Sequence, residues 1–196
     1  MNDVDVAIVG SGPYALSLAA HMRAREVPYR VFGPAMHFWR TMPPGINLKS
    51  LAFATSIAVP ERGYGFHEWC RRRGLEDKEP CSMESYAAYG MEIQERLVPD
   101  LEETEVRRVR SAGAHRFELT LATGEVLHAQ NVISATGLSG LAYTPDVLTR
   151  LGDHVTHTFS LHSYQHSRAR RWRSSVPGPR RSRPVLSCMK LEASRT

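Results

Sequence analysis

The 196-residue chain is long enough to bury one substantial core, or one core and an appendage, but not two full nucleotide domains. It has no long apolar run, and it opens with Asn2 and Asp3 instead of a basic stretch followed by an apolar one. Neither a membrane span nor a secretory leader is expected, and a cytoplasmic location is the default. The net charge of +5 is unevenly divided: residues 165–196 hold eight Arg and one Lys against the single acid Glu192 and carry +8, so the first 164 residues carry −3, which argues against nucleic-acid binding by the globular part.

The first element is the apolar run Val4 to Val9, which reads as a buried strand leading into Gly10-x-Gly12-x-x-Ala15 and a helix over Leu16 to Arg25. Gly10 lets the chain turn sharply out of the strand, and Gly12 lets bare backbone approach a pyrophosphate. The small Ala15 lets the helix pack against the strand while its N-terminal N–H groups face the phosphates. The context of strand, glycine turn and helix points to a dinucleotide-binding turn, with a plain tight turn as the alternative.

Tyr29-Arg-Val-Phe32 is expected to be the second parallel strand, reached by a right-handed crossover. Residues 33 to about 65 are rich in Pro and Gly and lack a period; such long irregular stretches in compact domains are usually functional or disordered. Helices are predicted over Phe66–Arg73, as a cover for the sheet, and over Met83–Leu97, with Ser82 as N-cap and Glu84 in the first turn. Residues 105–110, 115–121 and 125–129 alternate polar and apolar side chains, as the strands of a small antiparallel meander do, with a turn at Ala122-Thr-Gly124. A separate buried strand over Asn131-Val-Ile-Ser-Ala-Thr-Gly137 follows. In a doubly wound sheet its end would lie beside the glycine turn, although Ala-Thr-Gly alone reads equally as an ordinary strand-to-loop turn.

Cys70, Cys81 and Cys188 are odd in number and form no C-x-x-C pair, which argues against a disulfide framework, a zinc site and a redox-active dithiol. His154, His157, His162 and His166 lack a fixed helical spacing and read as a surface cluster, so no metal site is expected. Residues 165–196 have no period and little to bury, and they read as a basic disordered tail following a globular part over 1–164.

The strand with Gly10-Ser-Gly12-Pro-Tyr-Ala15, the meander and Val132-Ile-Ser-Ala-Thr-Gly137 resemble the FAD-binding domain of two-dinucleotide flavoproteins. Phe38-Trp-Arg40, Met42-Pro-x-Gly45 and Leu48-Lys-Ser50 more narrowly resemble class B flavoprotein monooxygenases and lysine or ornithine N-hydroxylase-like proteins. The resemblance covers roughly residues 4–164. It implies an α/β, Rossmann-like three-layer fold with a parallel sheet and a β-meander, FAD as cofactor, NADPH in the complete family member, and oxygen insertion into a small-molecule substrate. By the same resemblance Gly10, Ser11, Gly12, Pro13, Tyr14 and Ala15 would hold the FAD pyrophosphate. Trp39, Arg40, Leu48, Lys49 and Ser50 would lie along the flavin, Val106 would meet adenine through its backbone, and Thr136 and Gly137 would close the site.

Two departures stand out. The end of the second strand usually supplies an acid for the adenosine ribose, yet Phe32 is followed by Gly33. No Gly-x-Gly follows Gly137, so the family's second, NADPH-binding turn is not in the sequence. Back-translation of residues 171–179 with G-ending codons in a shifted frame gives Val-Ala-Val-Val-Gly-Ala-Gly-Ala, a strand and a Gly-x-Gly turn. A reading frame shifted after about His166 is therefore one account of the tail, and a native disordered terminus is the other. The expectation is an FAD-binding oxidoreductase of the NADPH-dependent monooxygenase type, an incomplete copy inactive alone. The alternatives are a non-catalytic nucleotide-binding remnant and an interaction protein using the basic tail.

Overall fold

The computed structural model describes residues 3–75, 81–113, 116–152, 155 and 157. Strand β1 (Asp3–Val9) is followed by helix α1 (Pro13–Ala24) and strand β2 (Tyr29–Phe32). Pro13 starts α1 three residues earlier than predicted, because the first helical position needs no N–H donor and suits the fixed φ of proline. Ala15, Leu16, Ala19 and Ala20 form its buried face, and their small size lets α1 lie close on the sheet.

The stretch from Gly33 to Gly65 is not wholly irregular. It contains the single turns α2 (His37–Arg40) and α3 (Ala52–Thr55) and the two-residue strand β3 (Asn47–Leu48). Helix α4 (Phe66–Arg72) packs against α3 and α5 and buries Phe66, Trp69 and Cys70 in the cluster that also holds Val6 and Ile8 of β1. Strand β4 (Cys81–Ser82) pairs antiparallel with β3 and leads into α5 (Met83–Leu97). Ser82 caps α5 by accepting from the Ser85 N–H at 3.1 Å, and Tyr86, Tyr89, Gly90, Ile93 and Leu97 recur on its buried face at helical spacing.

Strands β5 (Val106–Ser111), β6 (Phe117–Leu121) and β7 (Val126–Ser134) complete a five-stranded sheet in the order β2-β1-β7-β6-β5. The last meander strand and the buried strand expected after it are one continuous element. Its first residues pair antiparallel with β6, and His128 to Ser134 run parallel to β1. The strand ends at Ser134, so Ala135, Thr136 and Gly137 leave it as loop, followed by a 3-10 turn over Ser139–Leu141 and helix α6 (Asp146–Thr149).

The alternation of β1 divides the core. Val6 and Ile8 join the cluster beneath α1, α4 and α5, whereas Ala7 joins Phe32, Leu119, Leu121, Leu127 and Ala129 on the meander side. Helices packed on a mixed five-stranded sheet, in which the meander continues the parallel strands, make an α/β Rossmann-like fold. Among the described residues no helix is long and apolar enough to cross a membrane. The expectations for residues 165–196, for Cys188, and for His154, His162 and His166 fall outside the described residues.

Candidate functional site

Three strand ends converge on the glycine turn. The Gly10 N–H donates to the Phe32 carbonyl at 2.9 Å, which ties the turn to β2. On the other side the Ala135 N–H donates to the Val9 carbonyl at 2.7 Å, holding the end of β7 against β1. Gly10 has φ +122°, and a Cβ there would lie 2.2 Å from the Ala135 carbonyl oxygen. The glycine is therefore required both by its dihedral and by the backbone of β7.

Gly12 is different. Its backbone is extended, and an added Cβ would meet no protein atom within 4 Å. As N-cap of α1 it offers no side chain to the first turn, and that turn holds no acid. The orphan N–H groups and the positive end of the helix dipole are left for an anion, which is what a pyrophosphate requires. Ala15 is fully buried behind them, and Tyr14 is 88% exposed.

Ser11 is committed to the protein. Its hydroxyl donates to the Pro34 carbonyl at 2.6 Å, and its own carbonyl accepts from the Met36 N–H at 3.0 Å. These bonds staple the turn to the segment entering α2. Gly33 lies against the same serine with φ +125°, a conformation that favours glycine.

Of the residues expected along the flavin, Trp39 meets Tyr86 of α5, which sequence reasoning missed. Trp39 packs edge-on to Tyr86 at 4.8 Å between ring centroids and edge-on to Phe38 at 5.5 Å. Burial first, then the neighbouring Tyr89, Tyr14 and Cys81, push the Tyr86 hydroxyl above the ordinary tyrosine range, so it stays protonated. Trp39 on α2 thus packs on the Tyr86 ring, and the charges of Tyr14 and of Cys81, the register partner of Leu48, are felt at its hydroxyl. Only the periodicity of α5 could have pointed to Tyr86, and it reads as ordinary core.

Arg40 is exposed and donates to the Ala35 carbonyl at 3.2 Å. Lys49 is exposed, and the Ser50 and Thr55 hydroxyls lie 2.9 Å apart, closing the loop before α3. Val106 opens β5 opposite Leu121 with its side chain against the meander-side core, which leaves only its backbone for a ligand. Thr136 and Gly137 are exposed just beyond the contact of Ala135 with Gly10, and Gly137 has φ +69°.

A cleft of about 400 Å³ lies elsewhere. It is lined by Ser111, Gly113, Arg116, Phe117, Gln130 and Asn131 at the tip of the β5–β6 hairpin, where the pairing of Phe117 with Ala129 and of Ala129 with Val4 places it at the opposite end of β1 from Gly10. Among the described residues no cluster of His, Cys, Asp and Glu is arranged to hold a metal ion.

The family model described as FAD-NAD(P)-binding matches residues 7–139, and the chain belongs to that family. A flavin-containing monooxygenase from Stenotrophomonas maltophilia is 26% identical and superposes with a TM-score of 0.60 over 74% of this chain and 42% of its own. The bacillithiol disulfide reductase Bdr from Staphylococcus aureus is 19% identical, with the same TM-score and coverage. OTEMO, in a complex with FAD and NADP, is 20% identical, with a TM-score of 0.56 over 73% of this chain and 27% of its own. The last two show the fold alone. The chain spans about two-fifths of the length of the first two. No curated protein shows significant similarity to it.

Proposed function

We propose that this chain is the FAD-binding part of a flavoprotein oxidoreductase of the NADPH-dependent monooxygenase type, acting on a small molecule. The observation that carries the reading is the uncapped N-terminus of α1, framed by Gly10 against the end of β7 and by the open backbone of Gly12. Its donors are backbone N–H groups and a helix dipole, the chemistry that holds a pyrophosphate without a lysine or a metal. The 26% likeness to a flavin-containing monooxygenase supports the finer part of the reading.

FAD supplies the redox chemistry when bound, and the protein positions and shields it. Ser11 and Gly33 fix the path of the chain beside the turn, and the Tyr86 group provides an apolar wall whose hydroxyl stays protonated at physiological pH. Thr136 and Gly137 lie where backbone can close over a bound nucleotide, beside the end of β7.

The test is the absorption spectrum of the purified chain after mixing with FAD and gel filtration. Co-eluting flavin bands with altered fine structure are the expected result. A colourless protein peak would leave a fold of this family without its cofactor and favour the interaction-protein alternative.

A further inference from the structure

Gly33 stands where the second strand of such a fold ordinarily ends in the acid that binds the adenosine ribose. It cannot be replaced by one. Its φ of +125° is a conformation that a residue with a side chain rarely adopts, and an added Cβ would crowd the Ser11 hydroxyl at 3.0 Å. The chain nevertheless brings acids to this place from a distant stretch of sequence. The Glu102 N–H donates to the Val31 carbonyl at 2.9 Å, and the Gly33 N–H donates to the Glu102 carbonyl at 2.8 Å, so Glu102 bridges Phe32 in parallel on the side of β2 away from β1. Glu103 is the next residue along the chain, so the hydrogen bond from Gly33 to the Glu102 carbonyl carries its backbone to the end of β2.

The other acids of this stretch are engaged. Asp100 accepts from the Tyr29 hydroxyl at 3.0 Å and pairs with Arg23. Glu102 binds the Arg30 guanidinium through both oxygens, at 2.6 and 2.7 Å. Glu105 lies 4.0 Å from Arg107. Glu103 is exposed and makes no hydrogen bond or ion pair with the described residues.

We infer that Glu103 replaces the missing strand-end acid and accepts hydrogen bonds from the adenosine ribose hydroxyls of the bound dinucleotide. This rests on the FAD reading above. A carboxylate supplies two acceptor oxygens for a vicinal diol, and hydrogen bonds to a charged acceptor are the stronger kind.

The experiment is a titration of the full chain and its Glu103→Gln variant with FAD and with an FAD analogue lacking both adenosine ribose hydroxyls. The wild type should prefer FAD over the analogue by about tenfold, and Glu103→Gln should bind both as weakly as the wild type binds the analogue. Glu102→Gln, which breaks the Arg30 pair, should lower the melting temperature and keep the wild-type preference. Equal FAD affinity in wild type and Glu103→Gln, or an undiminished preference in the variant, would overturn the inference and leave the FAD reading intact. Failure of the wild type to bind FAD would overturn both.

Discussion

Gly10 sits so close to Ala135 that a single methyl group added to it would lie only 2.2 Å from the Ala135 carbonyl oxygen. The glycine turn and the end of β7 are therefore one structural unit, although 125 residues of sequence separate them. Gly10→Ala is expected to destabilise the fold by about 3 kcal/mol, from the left-handed dihedral and the backbone clash together. Thermal unfolding measures it, and a melting temperature equal to that of the wild type would contradict this packing.

Tyr89 holds the loop before α4 to α5. Its hydroxyl donates to the Tyr64 carbonyl at 2.6 Å and accepts from the Ile57 N–H at 3.0 Å, and burial above all pushes its pKa up to about 12. Tyr89→Phe strands a buried backbone donor and should cost about 1–3 kcal/mol. Denaturant unfolding should show the lowered midpoint, with faster hydrogen exchange at Ile57.

Glu92 gives the helical layer an acid-sensitive joint. Burial raises its carboxyl, but hydrogen bonds from Arg73, Trp69 and Arg72 outweigh burial and hold it below its ordinary value of 4.5. Because the folded-state value is the lower one, this contribution is fully present above the unfolded value and is lost as the pH falls through the folded one. Arg72 and Arg73 are about half exposed, so Glu92→Gln should cost only about 1 kcal/mol at neutral pH. Melting curves below pH 4.5 should converge for wild type and variant; parallel curves down to strong acid would contradict the assignment.

NADPH should not reduce FAD bound to this 196-residue chain at an enzymatic rate. Hydride transfer needs the nicotinamide held against the flavin, and no Gly-x-Gly follows Gly137 to hold its pyrophosphate. Anaerobic stopped-flow mixing should show bleaching no faster than for free FAD. Rapid bleaching would reveal a nicotinamide site among the residues present.

What the sequence makes legible is what is local. Tyr29–Phe32 and Met83–Leu97 fall where the pattern puts them, because a short β-branched and aromatic run and a capped amphipathic helix are each specified by neighbouring residues. The sequence pattern divides β7 into a meander strand over 125–129 and a separate buried strand from Asn131. In the structure the Gln130 side chain donates to the Asp5 carboxylate and that of Asn131 to the Asp5 carbonyl, where the strand leaves β6 and continues along β1. The glycine turn was legible for the same local reason. The approach of the β7 end to that turn follows from the doubly wound pattern, whereas Tyr86 and the Glu102 bridge were not legible, since each reaches its place only through tertiary pairing.

Gly12 carries the central claim, because its missing side chain serves no contact within the protein. Gly12→Val should leave the fold within about 1 kcal/mol of the wild type, the loss expected for a poorer N-cap, while filling the space through which a pyrophosphate approaches. Calorimetric titration of FAD into both proteins side by side is the most direct measurement. The account predicts one FAD per wild-type chain with micromolar or tighter affinity and no heat of binding in Gly12→Val at an unchanged fold; a wild type that binds no FAD, or a variant that binds it equally well, would contradict it.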